Sequence, residues 1–485
     1  LLPFLIRPSR IQSSRRPWAT GRAAMTALGL VLALNAPALR AQAPAPDKPA
    51  AGSPAPLPTL IFPPLAPSAG DARSDDAKEF HATALRDLKD SGVFRLLTGP
   101  RSSDGQTGKG SRVAGGDLML RFVSHSVARG KLLVEGECIN LATGAVVVKK
   151  SFLGQTAVVD RMAHRLVDFL VGKVTGTPGV ADSSIVFARA TAPGIQEIFG
   201  ADRDGRNQRQ LTAFGSLTTY PSIAADGRLA FVTYKGGPPQ IWGQLRPRAP
   251  FTLIYPKGSP AGLALSDLAW SPDGQRLCFV QESRKGLSDL QLLDLGSGQV
   301  TRLTEPGHTS RRPSWSPDGA SLAFLSDRDG SSQVYLMASD GSHVRRLTSD
   351  PAPKDSVAWG GQGGQGGQGL RGDRIAYSAR LDTATGLFTI APDGSGRQQA
   401  ATIPGALGAL CWAPDGRSLL LGLGHGADAR LRIAGLDGQL RDFAGGLEGS
   451  QFPQWVQNPA PGTARATDPA LAYPVPALLG AAPLP

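Results

Sequence analysis

The sequence predicts a mainly β protein: a C-terminal six-bladed β-propeller preceded by a small α/β domain. Three observations predict it. A Trp-Ser-Pro-Asp-Gly turn recurs at near-constant spacing, and a short apolar strand follows each copy. The first unit lacks an inner strand, while the last copy is an inner strand with nothing after it, so the two complete one another.

The near-identical turns are Trp270-Ser271-Pro272-Asp273-Gly274, Trp315-Ser316-Pro317-Asp318-Gly319 and Trp412-Ala413-Pro414-Asp415-Gly416. A degenerate copy is Ile223-Ala224-Ala225-Asp226-Gly227. The Asp-to-Asp spacings are 47, 45 and 97 residues, the last being two units plus a Gly/Gln insertion at 360–369. Gly accepts the positive φ of the turn, and Asp bonds nearby amides. The pairs Asp226-Gly227, Asp273-Gly274, Asp318-Gly319 and Asp415-Gly416 therefore read as structural turn residues. Their repetition at one place in the unit argues against a metal site.

Second strands are expected at 185–189, 229–233, 277–281, 322–326, 375–379 and 419–423. Third strands are expected at 196–201, 240–244, 290–295, 333–338, 387–390 and 431–434. Polar fourth strands are expected at 209–212, 300–304 and 344–348. Inner strands end at Ile223, Trp270, Trp315, Trp359, Trp412 and Trp455, six in all. Four strands per unit make a propeller blade. Six units span 183–456, with the last strand expected beside Val186 and Phe187.

Upstream, 58–180 reads as the α/β domain. Strands are expected at 59–62, 118–123, 131–140 and 145–152, and helices at 80–91 and 158–171. Residues 101–116 read as a Gly/Ser-rich loop. Residues 1–43 read as a signal peptide: a basic stretch, the apolar run 23–34, then Ala41-Gln42-Ala43. Residues 44–57 are a Pro/Ala-rich tether, and 457–485 a disordered Pro/Ala-rich tail.

The formal charge is +12, but 1–43 hold six Arg and no acid. The remainder carries 45 basic and 39 acidic side chains and has no basic stripe interleaved with aromatics, so nucleic acid is not an expected partner. Cys138, Cys278 and Cys411 make no disulfide framework. No G-x-S-x-G, HExxH or zinc-spaced Cys/His cluster is present, so no catalytic residue, metal or cofactor is expected. His164 reads as a helix residue bonding within the small domain. A monomer is expected.

These motifs resemble one family. The run from Trp315-Ser316-Pro317-Asp318-Gly319 through Leu322-Ala323-Phe324 and Gln333-Val334-Tyr335-Leu336 to Asp340-Gly341 and Arg345-Arg346-Leu347-Thr348 is similar to the repeat of the TolB family. Thr59-Leu60-Ile61-Phe62-Pro63, Asp87-Leu88, Ser91-Gly92 and Phe94-Arg95 resemble the start of its small domain. Ala163-His164-Arg165, Asp168, Thr175-Gly176 and Ser184-Ile185 resemble its end. The likeness covers about 58–456.

The resemblance implies a non-enzymatic periplasmic scaffold of the Tol–Pal envelope system. Its propeller would bind the peptidoglycan-associated lipoprotein, and its mature N-terminus a TolA-like inner-membrane protein, keeping the outer membrane attached and constricting during cell division. The lipoprotein would meet loops at the channel mouth, just before each inner strand. By position these are Thr218, Thr219 and Tyr220; Leu265, Ser266 and Asp267; His308, Thr309, Arg311 and Arg312; Lys354 and Asp355. Arg311 and Arg312 make this surface more basic than the family implies, and the tether departs from its short N-terminus. A propeller enzyme acting on carbohydrate, as lyase or hydrolase, and an unrelated adaptor remain the alternatives.

Overall fold

A computed structural model describes residues 57–63, 75–98, 117–128, 130–177, 179–256, 264–283, 285–360, 374–424, 426–443 and 447–458. The expected signal peptide, the 101–116 loop and nearly all of the tether, the Gly/Gln insertion and the tail lie outside the described residues.

The small domain runs β1 (Thr59–Ile61), α1 (Asp75–Ser91), β2 (Arg95–Leu97), β3 (Leu118–Ala128), β4 (Lys131–Asn140), β5 (Val146–Gln155) and α2 (Val159–Thr175). Its sheet order is β2-β1-β3-β4-β5. α1 buries Ala77, Phe80, Ala84 and Leu88, and α2 buries Met162, Ala163, Leu166 and Leu170. These helical stripes cover the face of β4 that carries Leu132, Val134 and Cys138. Gly136 sits on that face because a Cβ there would lie 2.7 Å from the Leu166 methyls. α2 ends where Gly176 turns left-handed (φ 75°) and its N–H bonds the Gly172 carbonyl.

Several ends differ from expectation (β3 runs on to Ala128, β5 to Gln155 and α2 to Thr175), and one strand, β2, was not expected. α1 starts five residues earlier, because Asp75 and Asp76 favour a helix N-terminus without adding an apolar signal. β2 has three residues, too few to show alternation.

Six four-stranded sheets form the propeller. The inner strands are Thr218–Ile223, Leu265–Trp270, Ser310–Trp315, Lys354–Trp359, Leu407–Trp412 and Ser450–Gln457. They open blades two to six and, for the last, blade one. Three fourth strands absent from the sequence reading complete their blades: Thr252–Tyr255, Gln398–Pro404 and Leu440–Asp442. Two of them follow the Asp393-Gly394 and Asp437-Gly438 turns, which was the available signal.

The ring closes as its count required. Ser450–Gln457 pairs antiparallel with Ser183–Ala192, Gln454 opposite Val186 and Trp455 opposite Ile185. Trp455 Nε1 donates to Ser183 Oγ at 2.7 Å.

The repeated Trp residues also join blades. Nε1 of Trp270, Trp315 and Trp412 each donates at 3.1 Å to an inner-strand carbonyl of the preceding blade: Ser222, Ala269 and Ala358. Arg228 extends this contact, stacking on Trp270 and donating to the Gly274 carbonyl at 2.7 Å. A buried ring with one satisfied N–H suits a wedge between sheets.

The small domain docks at the turn end of blades one and six. Arg86 pairs with Asp204 at 3.0 Å. Arg206 reaches Asp160 and Glu79 at 3.3 and 3.5 Å. Arg203 and Arg441 both donate to the Asp90 carbonyl at the end of α1. The connecting segment is pinned as well. Asp168 accepts the backbone N–H groups of Ala181 and Asp182, and Asp182 takes Arg161, Arg165 and the Asn458 amide. His164 bonds Asp87 at 2.6 Å inside the small domain.

Two outcomes follow from this architecture. Deleting residues from 450 onward exposes the whole edge of Ser183–Ala192, so the truncated protein should elute as aggregates in size-exclusion chromatography. A monomeric truncate with an unchanged Tm would contradict the closure. Separately, burial pushes Asp168 up to about 7, against its two backbone N–H bonds. A folded pKa above the unfolded one gives stability that is complete below the ordinary carboxylate range and lost as pH rises through about 7. Asp168→Asn should therefore narrow the gap in Tm between about pH 5.5 and about pH 8. An equal gap in both proteins would take the effect away from Asp168.

Candidate functional site

The channel mouth lies at the end where the inner strands begin, opposite the turns that meet the small domain. Each inner strand starts with residues paired to the second strand: Thr218 with Thr233, Leu265 with Gln281, Ser310 with Ser326, Lys354 with Ala379. The register then breaks at a bulge. At its third position Tyr220, Asp267, Arg312 and Phe452 take positive φ of 49°, 48°, 57° and 51°. Four non-glycine residues in this region, at one place in the repeat, mark strain held by surrounding contacts.

Those contacts form a plug across the channel. Arg312 Nη1 donates to Asp267 Oδ1 at 3.0 Å, and the Arg312 backbone N–H donates to Asp267 Oδ2 at 3.2 Å. Arg312 Nη2 donates to the Gly408 carbonyl at 2.5 Å. The guanidinium lies 5.9 Å from the Phe452 ring centre, and Phe452 packs on Tyr220 at 4.3 Å. Blades one, two, three, four and six are thus tied at one point. Burial, with Asp267 close by, pushes the Tyr220 hydroxyl up to about 12, so it stays neutral. The cavity beside the plug is about 70 Å³, room for a few waters. Beyond it, toward the turns, a cavity of about 300 Å³ is lined by the inner-strand Trp residues and Pro272, Pro317 and Pro414.

The expected mouth residues separate into distinct groups. The sequence reading put them in loops ahead of the inner strands. The structure corrects this: only His308 and Thr309 lie in a connection, and the rest lie within the strands. Their polar starts hid the strand from an apolar pattern. Thr218, Thr219, Leu265 and Lys354 are buried. Thr218 Oγ1 bonds Thr233 Oγ1, and Lys354 Nζ is held by Asp350 at 2.6 Å and by the Ala352 carbonyl. Burial pulls the Lys354 pKa down, opposed by Asp350. Asp267 and Arg312 belong to the plug. Asp355 pairs with Arg380 at 2.7 Å.

Ser266 is half-buried, and His308 is exposed. Arg311 is half-buried, and its side chain has no hydrogen bond or ion pair among the described residues. Phe452 and Gly408 were missed by the sequence reading. Aligning the six inner strands would have placed Phe452 in one column with Tyr220 and Arg312, each followed by Pro.

The turn residues hold their own loops. Asp273 accepts Ser271 Oγ and Gln275 N–H, Asp318 accepts Ser316 Oγ and Ala320 N–H, Asp415 accepts Arg417 N–H, and Asp226 accepts Arg228 N–H. Gly227, Gly274, Gly319 and Gly416 all have positive φ. Among the described residues, no group of three or more His, Cys, Asp or Glu could hold a metal ion. None of their helices is long and apolar enough to cross a membrane.

Residues 171–458 match the family model for the TolB beta propeller domain. The Tol-Pal system protein TolB of Bordetella parapertussis is 30% identical over 73% of this chain and 81% of its own length. The chain belongs to the TolB family. A TolB homolog of Chlorobium chlorochromatii is 31% identical, and one of Chlorobium luteolum 26%. The chain spans 44% and 62% of the length of these two relatives. The crystal structure of TolB from Acinetobacter baumannii shares the fold at a TM-score of 0.67 and 20% identity, over 84% of this chain and 98% of that one. The TolB model thus spans the closing strand and the end of α2 as well as the blades.

The plug can be tested by a double-mutant cycle. Arg312→Ala removes the cation paired with the nearly buried Asp267, which should cost about 3–5 kcal/mol. Asp267→Ala should cost a similar amount, and the double variant much less than the sum. Additive losses in Tm would show that the two side chains do not act together.

Proposed function

We propose that this chain is a non-enzymatic periplasmic scaffold of the Tol–Pal system. In this reading the propeller mouth binds the peptidoglycan-associated lipoprotein, and the N-terminal segment engages a TolA-like inner-membrane partner. The observation that carries the reading is the mouth itself. It is sealed by the plug, it faces away from the small domain, and it offers an Arg311 side chain that has no partner among the described residues. At the mouth itself the cavity is about 70 Å³, which suits surface recognition and is too small for a sugar ring. Membership of the TolB family and the Bordetella relative support the Tol–Pal assignment.

The mouth residues have unequal roles in this proposal. Arg311, His308 and Ser266 offer side chains to a partner. Arg312, Asp267 and Tyr220 shape the surface, and Lys354 and the two Thr residues support it from beneath. Arg311 presents a planar donor fork suited to a carboxylate.

Affinity purification of the protein from its own host should retain an envelope lipoprotein that binds peptidoglycan. Arg311→Glu should reduce that retention about tenfold, equivalent to about 1.4 kcal/mol. Unchanged retention would remove Arg311 from the interface. No lipoprotein, under conditions where a Bordetella relative retains its own, would overturn the proposal.

A further inference from the structure

The five-stranded sheet ends on β5, whose outer edge pairs with nothing among the described residues. An edge of ten residues presents a row of free backbone donors and acceptors. Its side chains carry a pattern. Lys149 and Lys150 stand at the middle, with Val146 52% exposed at one end and Leu153 67% exposed at the other. The small domain, much the shorter of the two, holds five of the ten exposed large apolar residues in the described chain: Val123, Leu141, Val146, Leu153 and Val158.

The lysines are not neutralised internally. Lys149 lies opposite Glu137, but Glu137 is bound by Arg121 at 2.8 Å. Lys150, on the helix side, lies 4.2 Å from the Phe169 ring centre. Lys173 from α2 shares that ring at 5.6 Å. Two ammonium groups on one aromatic ring, with no carboxylate partner for either among the described residues, favour an incoming anion. Each face of the edge thus offers positive charge flanked by apolar surface.

We propose that β5 accepts an extended acidic segment of another protein as a sixth strand. Main-chain pairing supplies the docking, and side chains at alternate positions supply selectivity. Two consecutive acidic residues in that segment lie opposite Lys149 and Lys150, one on each face of the sheet. Apolar residues on either side of them meet Val146, Phe152 and Leu153. A second copy of this chain fits poorly, because self-pairing through the centre of β5 sets lysine against lysine.

The test uses the full chain and a fluorescent ten-residue peptide of Val, Thr and Ile with Glu-Glu at its centre. Fluorescence anisotropy should show saturable binding. Hydrogen exchange should show protection confined to β5. Lys149→Glu with Lys150→Glu should weaken binding at least about tenfold, and a Lys-Lys peptide should bind that variant better than the Glu-Glu peptide does. Circular dichroism would confirm that the variant is folded. No binding to the original protein would overturn the proposal. So would equal affinity in the variant, protection at the propeller mouth instead of β5, or peptide-independent dimers protected along β5.

Discussion

One pairing supports the architecture: the antiparallel ladder between Ser450–Gln457 and Ser183–Ala192. It joins segments more than 250 residues apart and turns a row of blades into a ring without a free inner edge. Each blade buries its faces against two neighbours, so a gap at one seam would uncover two faces at once. The seam is reinforced at its end. Ser184 and Asp182 both bond Asn458, just beyond the closing strand. Since Asp182 also takes Arg161 and Arg165 of α2, the seam and the small domain share one set of charges.

The mouth depends on the same closure. Phe452 belongs to the closing strand, and it is the ring on which Tyr220 packs and over which Arg312 lies. Removing that strand would therefore take the plug apart. The four left-handed residues meet one another through their side chains, contacts that offset the strain. A partner that contacts Arg311 approaches this strained layer from outside. The two ends of the propeller thus differ in kind: polar and strained at the mouth, lined with Trp and Pro at the turns.

Much of the fold was legible because a propeller repeats its instructions. The Asp-Gly turns, the Trp positions and the strands after them recur, so weak local signals reinforce each other. Five of the six inner strands end where the sequence places them, the sixth runs two residues further, to Gln457, and six blades followed by counting. The short strand Leu440–Asp442 was missed although a Gly turn precedes it, because three residues show no periodicity of their own. The mouth was less legible. Lys354 reads as a surface residue by type, yet it is buried against Asp350. Arg311 and Arg312 are adjacent and chemically alike, but among the described residues the first side chain has no partner and the second closes the channel.

By itself, the sequence determined the repeat, the blade count, the helices of the small domain and membership of the TolB family, all of which arise from local periodicity and turn chemistry. The tertiary structure alone decided which charges are spent and which are available. That choice depends on distances between residues about 45 to 350 positions apart, such as Asp267 to Arg312, Arg312 to Gly408 and Asp90 to Arg441. A Coulomb or hydrogen-bond contact forms only when the chain's path brings two groups within a few ångströms, and no local pattern records that path.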